Sequence, residues 1–278
     1  MDKLGLIAGG GRLPVEVAEF CERAERPLFV VRLKGFAGEA LARFEGVEVG
    51  IAEFGHAVSA LKAAGCAAVC FAGRVTRPDF AALKPDLKGL AILPGAVNAA
   101  RKGDDALLRY MLLQFEKEGF RVEGATEVMG DLTLQEGALG ARAPDAEALK
   151  DIGKAIQVAR ASGQLDIGQG AVVCDGLVLA VEAQEGTDAM LARVAGLPAE
   201  LRGSPSAPKG VLAKAPKPIQ ERRMDLPTIG VATVENAARA GLAGIAGEAG
   251  GVIVLDRAAV IEAADRMGLF VWGVEPDW

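Results

Sequence analysis

A carboxylate set among cations is the strongest chemical signal in the sequence. Lys217, Gln220, Arg222 and Arg223 crowd ahead of Asp225, with Glu221 the one acidic residue between. Asp225 stands directly before Leu226-Pro227, and proline disfavours helix in the residue before it, so this stretch is extended or turning. Such cations neutralise a phosphorylated ligand, and the carboxylate holds Mg²⁺ or orients water. The competing reading is a solvated loop whose ion pairs contribute little. A second carboxylate, Asp188, follows Gly186-Thr187 at a helix start that Gly186 or Thr187 is expected to cap. In the first half, Gly9-Gly10-Gly11-Arg12-Leu13-Pro14 makes a glycine turn between a strand and a helix. Glycines there let backbone approach a phosphate, and the helix start supplies oriented N–H groups. Pro14 replaces the third glycine of a dinucleotide fingerprint, and Arg32 and Lys34 end the second strand without the acidic residue that holds a ribose. A single nucleotide or phosphate therefore suits the turn better than a nicotinamide dinucleotide, with a purely structural turn as the alternative. Arg74, after the fourth strand, is a candidate clamp for a phosphate or base, weighed against a solvated loop arginine.

Composition excludes several other chemistries. Histidine occurs once, as His56, so zinc centres built on several imidazoles are ruled out. No G-x-S-x-G elbow accompanies that histidine, and no G-x-x-x-x-G-K-[ST] phosphate loop, EF-hand loop or kinase motif set occurs. Cys21, Cys66, Cys70 and Cys174 form no C-x-x-C pair and read as buried thiols. A net charge of −6 with 5% aromatics argues against nucleic-acid binding. The chain opens with a strand running into glycines rather than a signal peptide, and no apolar stretch approaches the ~20 residues of a membrane span. A cytoplasmic protein is expected. Mean hydropathy of +0.26 points to a large core or an apolar binding cavity.

The elements that position these residues follow from hydrophobic patterning. Apolar strands at Leu4–Ala8, Pro27–Val31, Val47–Ile51 and Ala67–Phe71 alternate with helices at Pro14–Arg23 and His56–Ala64. Continuous apolar strands between helices imply a parallel sheet covered on both faces, the doubly wound α/β pattern. Leu107, Leu108, Met111, Leu112 and Phe115 mark an amphipathic helix from Asp104 to Gly119. Residues 121–139 are glycine-interrupted, and a helix over Asp145–Ser162 opens the second half. Asp175-Gly176 between two apolar runs predicts a hairpin. Arg202 to Arg223 reads as a basic, proline-punctuated stretch; a helix at Thr233–Leu242, a strand at Gly251–Leu255, a helix at Asp256–Gly268 and a strand at Leu269–Trp272 follow. The expected architecture is α/β. Residues 1–131 form a Rossmann-like parallel-sheet domain on the nucleotide side, and residues 132–278 a second α/β domain carrying the catalytic aspartate.

Three segments carry a resemblance to a known family: Leu6 to Pro14, Glu182 to Leu191, and Lys217-Pro218-Ile219-Gln220-Glu221-Arg222-Arg223-Met224-Asp225-Leu226-Pro227-Thr228-Ile229-Gly230. In this order they closely resemble the LpxI-type UDP-2,3-diacylglucosamine pyrophosphatases of lipid A biosynthesis, over essentially the whole chain. The resemblance implies Mg²⁺-assisted hydrolysis, with water attacking the α-phosphorus to give UMP and 2,3-diacylglucosamine 1-phosphate (lipid X). It also implies two domains, a homodimer and transient contact with the inner-membrane surface where the substrate resides. The family's essential aspartate falls on Asp225, the expected metal-binding or water-orienting group, with Asp188 as a second carboxylate. Lys217 and Arg223 are candidate diphosphate neutralisers. Gly10, Gly11, Leu13 and Arg74 are substrate-binding candidates on the nucleotide side, and Thr187 and Gln220 complete the binding set. Glu221 and Val231 stand where the family pattern has Asp and Pro, so Glu221 is not taken as a ligand. A nicotinamide-dependent oxidoreductase and a non-catalytic lipid or nucleotide-sugar carrier are the competing functions.

Overall fold

In the computed structural model, residues 1–76, 78–130, 132–218 and 226–276 are described. They form two compact units, the first over residues 1–130 and the second over residues 132–218 and 226–276.

The first unit contains β1 (Leu4–Ala8), α1 (Leu13–Arg23), β2 (Leu28–Leu33), β3 (Gly46–Val49), α2 (Phe54–Ala63) and β4 (Ala68–Ala72). It continues with α3 (Leu87–Ala100), α4 (Asp104–Lys117), β5 (Arg121–Glu123) and α5 (Ala125–Met129). Its sheet has the order β3-β2-β1-β4-β5, and every pair is parallel. This is the Rossmann-like arrangement, with ligand loops at the strands' carboxyl ends. One face packs Ile7, Val31, Val49 and Val69 against Val58 and Leu61 of α2 and Leu112 and Phe115 of α4. The other face is covered by α1 and α5. The α3 helix was not foreshadowed by periodicity, because Pro94 lies inside it. Asp86 starts it by accepting hydrogen bonds from the N–H groups of Gly89 and His56. Burial raises the Asp86 carboxyl, but these N–H groups outweigh that and hold it below the usual carboxylate range.

The second unit contains β6 (Gly137–Ala138), α6 (Ala146–Gln164), β7 (Gly170–Cys174), β8 (Leu177–Val181), α7 (Gly186–Ala195) and α8 (Ala199–Arg202). After the short β9 (Gly203–Ser204) and β10 (Ala207–Pro208) come β11 (Val211–Lys214), β12 (Thr228–Ile229), α9 (Val231–Arg239) and β13 (Gly244–Glu248). β14 (Ile253–Val254), α10 (Arg257–Met267) and β15 (Phe270–Val274) complete it. The main sheet runs β6-β15-β13-β11-β7-β8. β11, β13 and β15 are parallel, while β7 runs antiparallel to β11. Alternation along the strands feeds two cores: Val172, Leu212, Ile245 and Val271 face α7, α9 and α10, whereas Ala171, Val173, Ala213 and Ala246 face α6.

Two expectations change here. The basic stretch after Arg202 contains β11, an interior strand, and Gly244–Glu248 supplies another. The strand expected over Gly251–Leu255 shrinks to β14, paired with β12 outside the main sheet. All four cysteines are free and buried, as anticipated. Burial, with Asp175 and Asp151 nearby, pushes the Cys174 thiol up to about 11.

Candidate active site

In the first unit the glycine turn and the loop after β4 cross at very close range. Gly10 N–H donates to the Arg74 carbonyl and Arg74 N–H donates to the Gly10 carbonyl, both at 2.8 Å. A Cβ on Gly9 would stand 2.8 Å from the Arg74 carbonyl oxygen, and one on Gly73 would stand 2.6 Å from both Gly10 O and Pro14 Cγ. Gly73 also has φ +94°, in the region open chiefly to glycine. Both glycines are therefore required by the crossing itself. Beside it, α1 begins at Leu13 with Arg12 at its N-cap and no side chain bonded to the helix start. Pro14 has no N–H and the Val15 N–H donates to the Arg12 carbonyl at 3.0 Å, so it is the helix dipole rather than a row of free donors that favours an anion there. Gly10, Gly11, Leu13 and Arg74 are thus brought together. Arg74 is held through its backbone, and its residue is exposed.

A cavity of about 390 Å³ adjoins this crossing, with Gly9, Gly73 and Arg74 in its lining. The rest is largely apolar, including Val31, Leu33, Phe71, Leu93, Leu107 and Met111. Amphipathic ligands need such an arrangement: polar backbone at one edge and a greasy interior beside it.

In the second unit, α7 presents Thr187 and Asp188. The cap is Glu185 rather than Gly186 or Thr187, and no side chain caps the helix. The Thr187 hydroxyl instead donates to Glu182 Oε1 at 2.8 Å, while accepting from Lys214 Nζ at 2.8 Å. Lys214 also donates to the Thr228 carbonyl at 3.0 Å. Lys214 is 4% exposed and Glu182 6% exposed, so a lysine and a glutamate are buried together through a threonine bridge. Glu182 Oε2 has no hydrogen-bond partner among the described residues. Neither Lys214 nor Glu182 stood out by spacing or motif. Glu182 stood within a segment quoted for Thr187 and Asp188, and Lys214 only within the basic stretch after Arg202.

Asp188 accepts from Asn236 Nδ2 at 2.7 Å and is exposed. Lys217 pairs with Asp166 at 2.7 Å, so its charge already has a carboxylate partner. Asp225, Arg223 and Gln220 lie outside the described residues. Among the described residues no group of three or more His, Cys, Asp or Glu side chains could hold a metal ion. His56 lies exposed on α2, 3.8 Å from Glu53. No helix among the described residues is long and apolar enough to cross a membrane.

Comparison with known proteins covers both units. Residues 3–132 match the LpxI N-terminal domain, and residues 135–272 match the LpxI C-terminal domain. Over 276 residues the chain is 65% identical to a protein of Caulobacter vibrioides named UDP-2,3-diacylglucosamine pyrophosphatase LpxI, covering 99% of each chain. With both domains matched in order and that identity sustained from end to end, the chain belongs to the LpxI family.

Proposed function

We propose that this chain hydrolyses the pyrophosphate of UDP-2,3-diacylglucosamine, releasing UMP and 2,3-diacylglucosamine 1-phosphate. The observation that carries the proposal is the end-to-end likeness to a relative named for that activity. The geometry of the first unit supports it, because an uncapped helix start and an apolar cavity lie side by side. In this reading the water oxygen bonds to the α-phosphorus and the bond to the bridging oxygen breaks. That oxygen leaves with the sugar phosphate, and a water proton passes to solvent. Such a displacement needs charge stabilisation more than imidazole chemistry, which suits a chain with one histidine.

Asp225 is assigned to orienting the water or binding Mg²⁺, with Asp188 as a second carboxylate. Arg223 and Lys217 are assigned to the diphosphate; Lys217 would exchange Asp166 for the ligand. Gly10, Gly11, Leu13, Arg74, Thr187 and Gln220 are assigned to substrate binding. Bound Mg²⁺ would supply Lewis-acid stabilisation of the phosphoryl oxygens. That expectation rests on Asp225 and on the family resemblance. A homodimer and brief contact with the inner-membrane surface belong to the same proposal, since the substrate is a membrane lipid.

The test is hydrolysis in ¹⁸O-labelled water with wild type and Asp225→Ala. Label in UMP is expected, with turnover in the variant reduced at least ~100-fold while substrate still binds. Unchanged turnover would remove Asp225 from the chemistry, label in the sugar phosphate would move the attack to the other phosphorus, and intact substrate would leave a carrier.

A further inference from the structure

We infer that the apolar cavity of the first unit receives one acyl chain of the lipid, not both, and that Phe115 sets the length it accepts. This rests on the proposal that the substrate is a diacylated nucleotide sugar. Two independent dimensions support it.

The first is length. Asp104, Leu107, Leu108, Met111 and Phe115 line the cavity as one stripe of α4. Eleven residue steps separate its ends, which at ~1.5 Å per step is about 16 Å. One leaflet's share of a bilayer's hydrocarbon core, half of ~30 Å, is about 15 Å. The second is volume. An apolar cavity of ~150 Å³ holds benzene, or ~25 Å³ per carbon. On that scale about 390 Å³ holds roughly 16 carbons, a single membrane-lipid chain.

The floor is defined by which residues line the cavity and which do not. Ile7, Val31 and Phe71 line it, whereas Val58, Leu61 and Val69 of the same hydrophobic cluster do not. Phe115 meets Phe54 and Phe71 edge to face, with ring centroids 5.0 and 5.2 Å apart. Phe115 is 3% exposed and is the last residue of the α4 stripe to line the cavity. Ala96 of α3 lines the wall and is small, which gives a site for shortening the space.

The experiment measures kcat/KM for UMP release from UDP-diacylglucosamines whose two acyl chains are varied independently from ten to eighteen carbons. Wild type should respond to length at one acyl position only. Phe115→Ala, or Phe115→Leu should the alanine variant fold poorly, should move the optimum to longer chains. Ala96→Leu should move it to shorter ones. Each methylene that gains or loses burial should change kcat/KM about fourfold, with thermal melting confirming that the variants fold. Equal dependence on both chains, or an optimum unmoved in both kinds of variant, overturns the inference. Absence of UMP release by wild type at every length would instead defeat the underlying proposal. Titration with tetradecanoate then tests the cavity separately: one molecule per chain, weakened in Ala96→Leu, sustains the inference, and no binding ends it.

Discussion

The first unit forms its polar site from backbone, whereas the second forms one from side chains. Where Gly10 and Arg74 meet, the groups that touch are amides and carbonyls, and the residues that make the approach possible have no side chain. Between β11 and α7 the reverse holds: Lys214, Thr187 and Glu182 meet through their ends, deep in the protein. A backbone site is lost when an atom is added. A buried side-chain site is lost when one partner is taken away, because the other is left charged and unmatched.

That contrast sets the order of expected effects. Lys214→Met should be the most damaging, at about 4 kcal/mol, since it leaves Glu182 buried without the cation that faces it through Thr187. Combining it with Glu182→Gln should recover part of the loss, and a denaturant-unfolding double-mutant cycle reads the coupling. If the two changes are additive, the bridge through Thr187 does not unite them. Gly73→Ala should cost about 3 kcal/mol, combining a disfavoured positive φ with two contacts a methyl group cannot keep. Thermal melting measures it; a variant as stable as wild type would mean the crossing yields easily.

The smallest effect is expected at a side-chain ion pair inside the backbone-built unit. Arg26 grips Glu123 with two hydrogen bonds, at 2.8 and 3.1 Å. The Arg26 hydrogen bond, with help from Arg121 and against burial, holds the Glu123 carboxyl below its usual range. Because the folded value is lowered, its stabilisation is present above the ordinary carboxylate range and disappears as pH falls through the lowered value. Glu123→Gln should cost about 2 kcal/mol at neutral pH and nothing once both forms are uncharged. Melting curves from neutral to acidic pH should therefore converge; a constant gap would assign the effect to packing.

What could be read from residues alone divides along the same line. β1, β4 and the Asp175-Gly176 hairpin announced themselves through unbroken apolar runs and a strong turn, and α4 through its stripe of Leu107, Met111 and Phe115. β11 did not: Val211-Leu212-Ala213 is too short a run, set between Pro208 and Pro216, to distinguish an interior strand from a loop. β13 carries two glycines among five residues, which weakens its β signal. The glycine turn was legible as a place of close backbone approach, because glycine has no Cβ to obstruct one. Lys214 was not, since Lys209 and Lys217 flank it in a stretch that reads uniformly basic. Only the register of β11 decides that one of the three is inside.

That register has one more effect. Across the sheet Lys214 is matched with Gly170 on one side and Gly247 on the other, so the lysine rises from a trough with no side walls of its own. A methyl group at position 170 would strike Glu182 Oε2 at 2.6 Å, and one at 247 would strike Val252 at 2.8 Å. A side chain at position 170 would have to displace the Glu182 carboxylate, and one at 247 would press on Val252, so enlarging either neighbour disturbs the packing around the lysine. Losing this ammonium group would therefore be felt in three adjacent strands, through Gly170, Lys214 and Gly247.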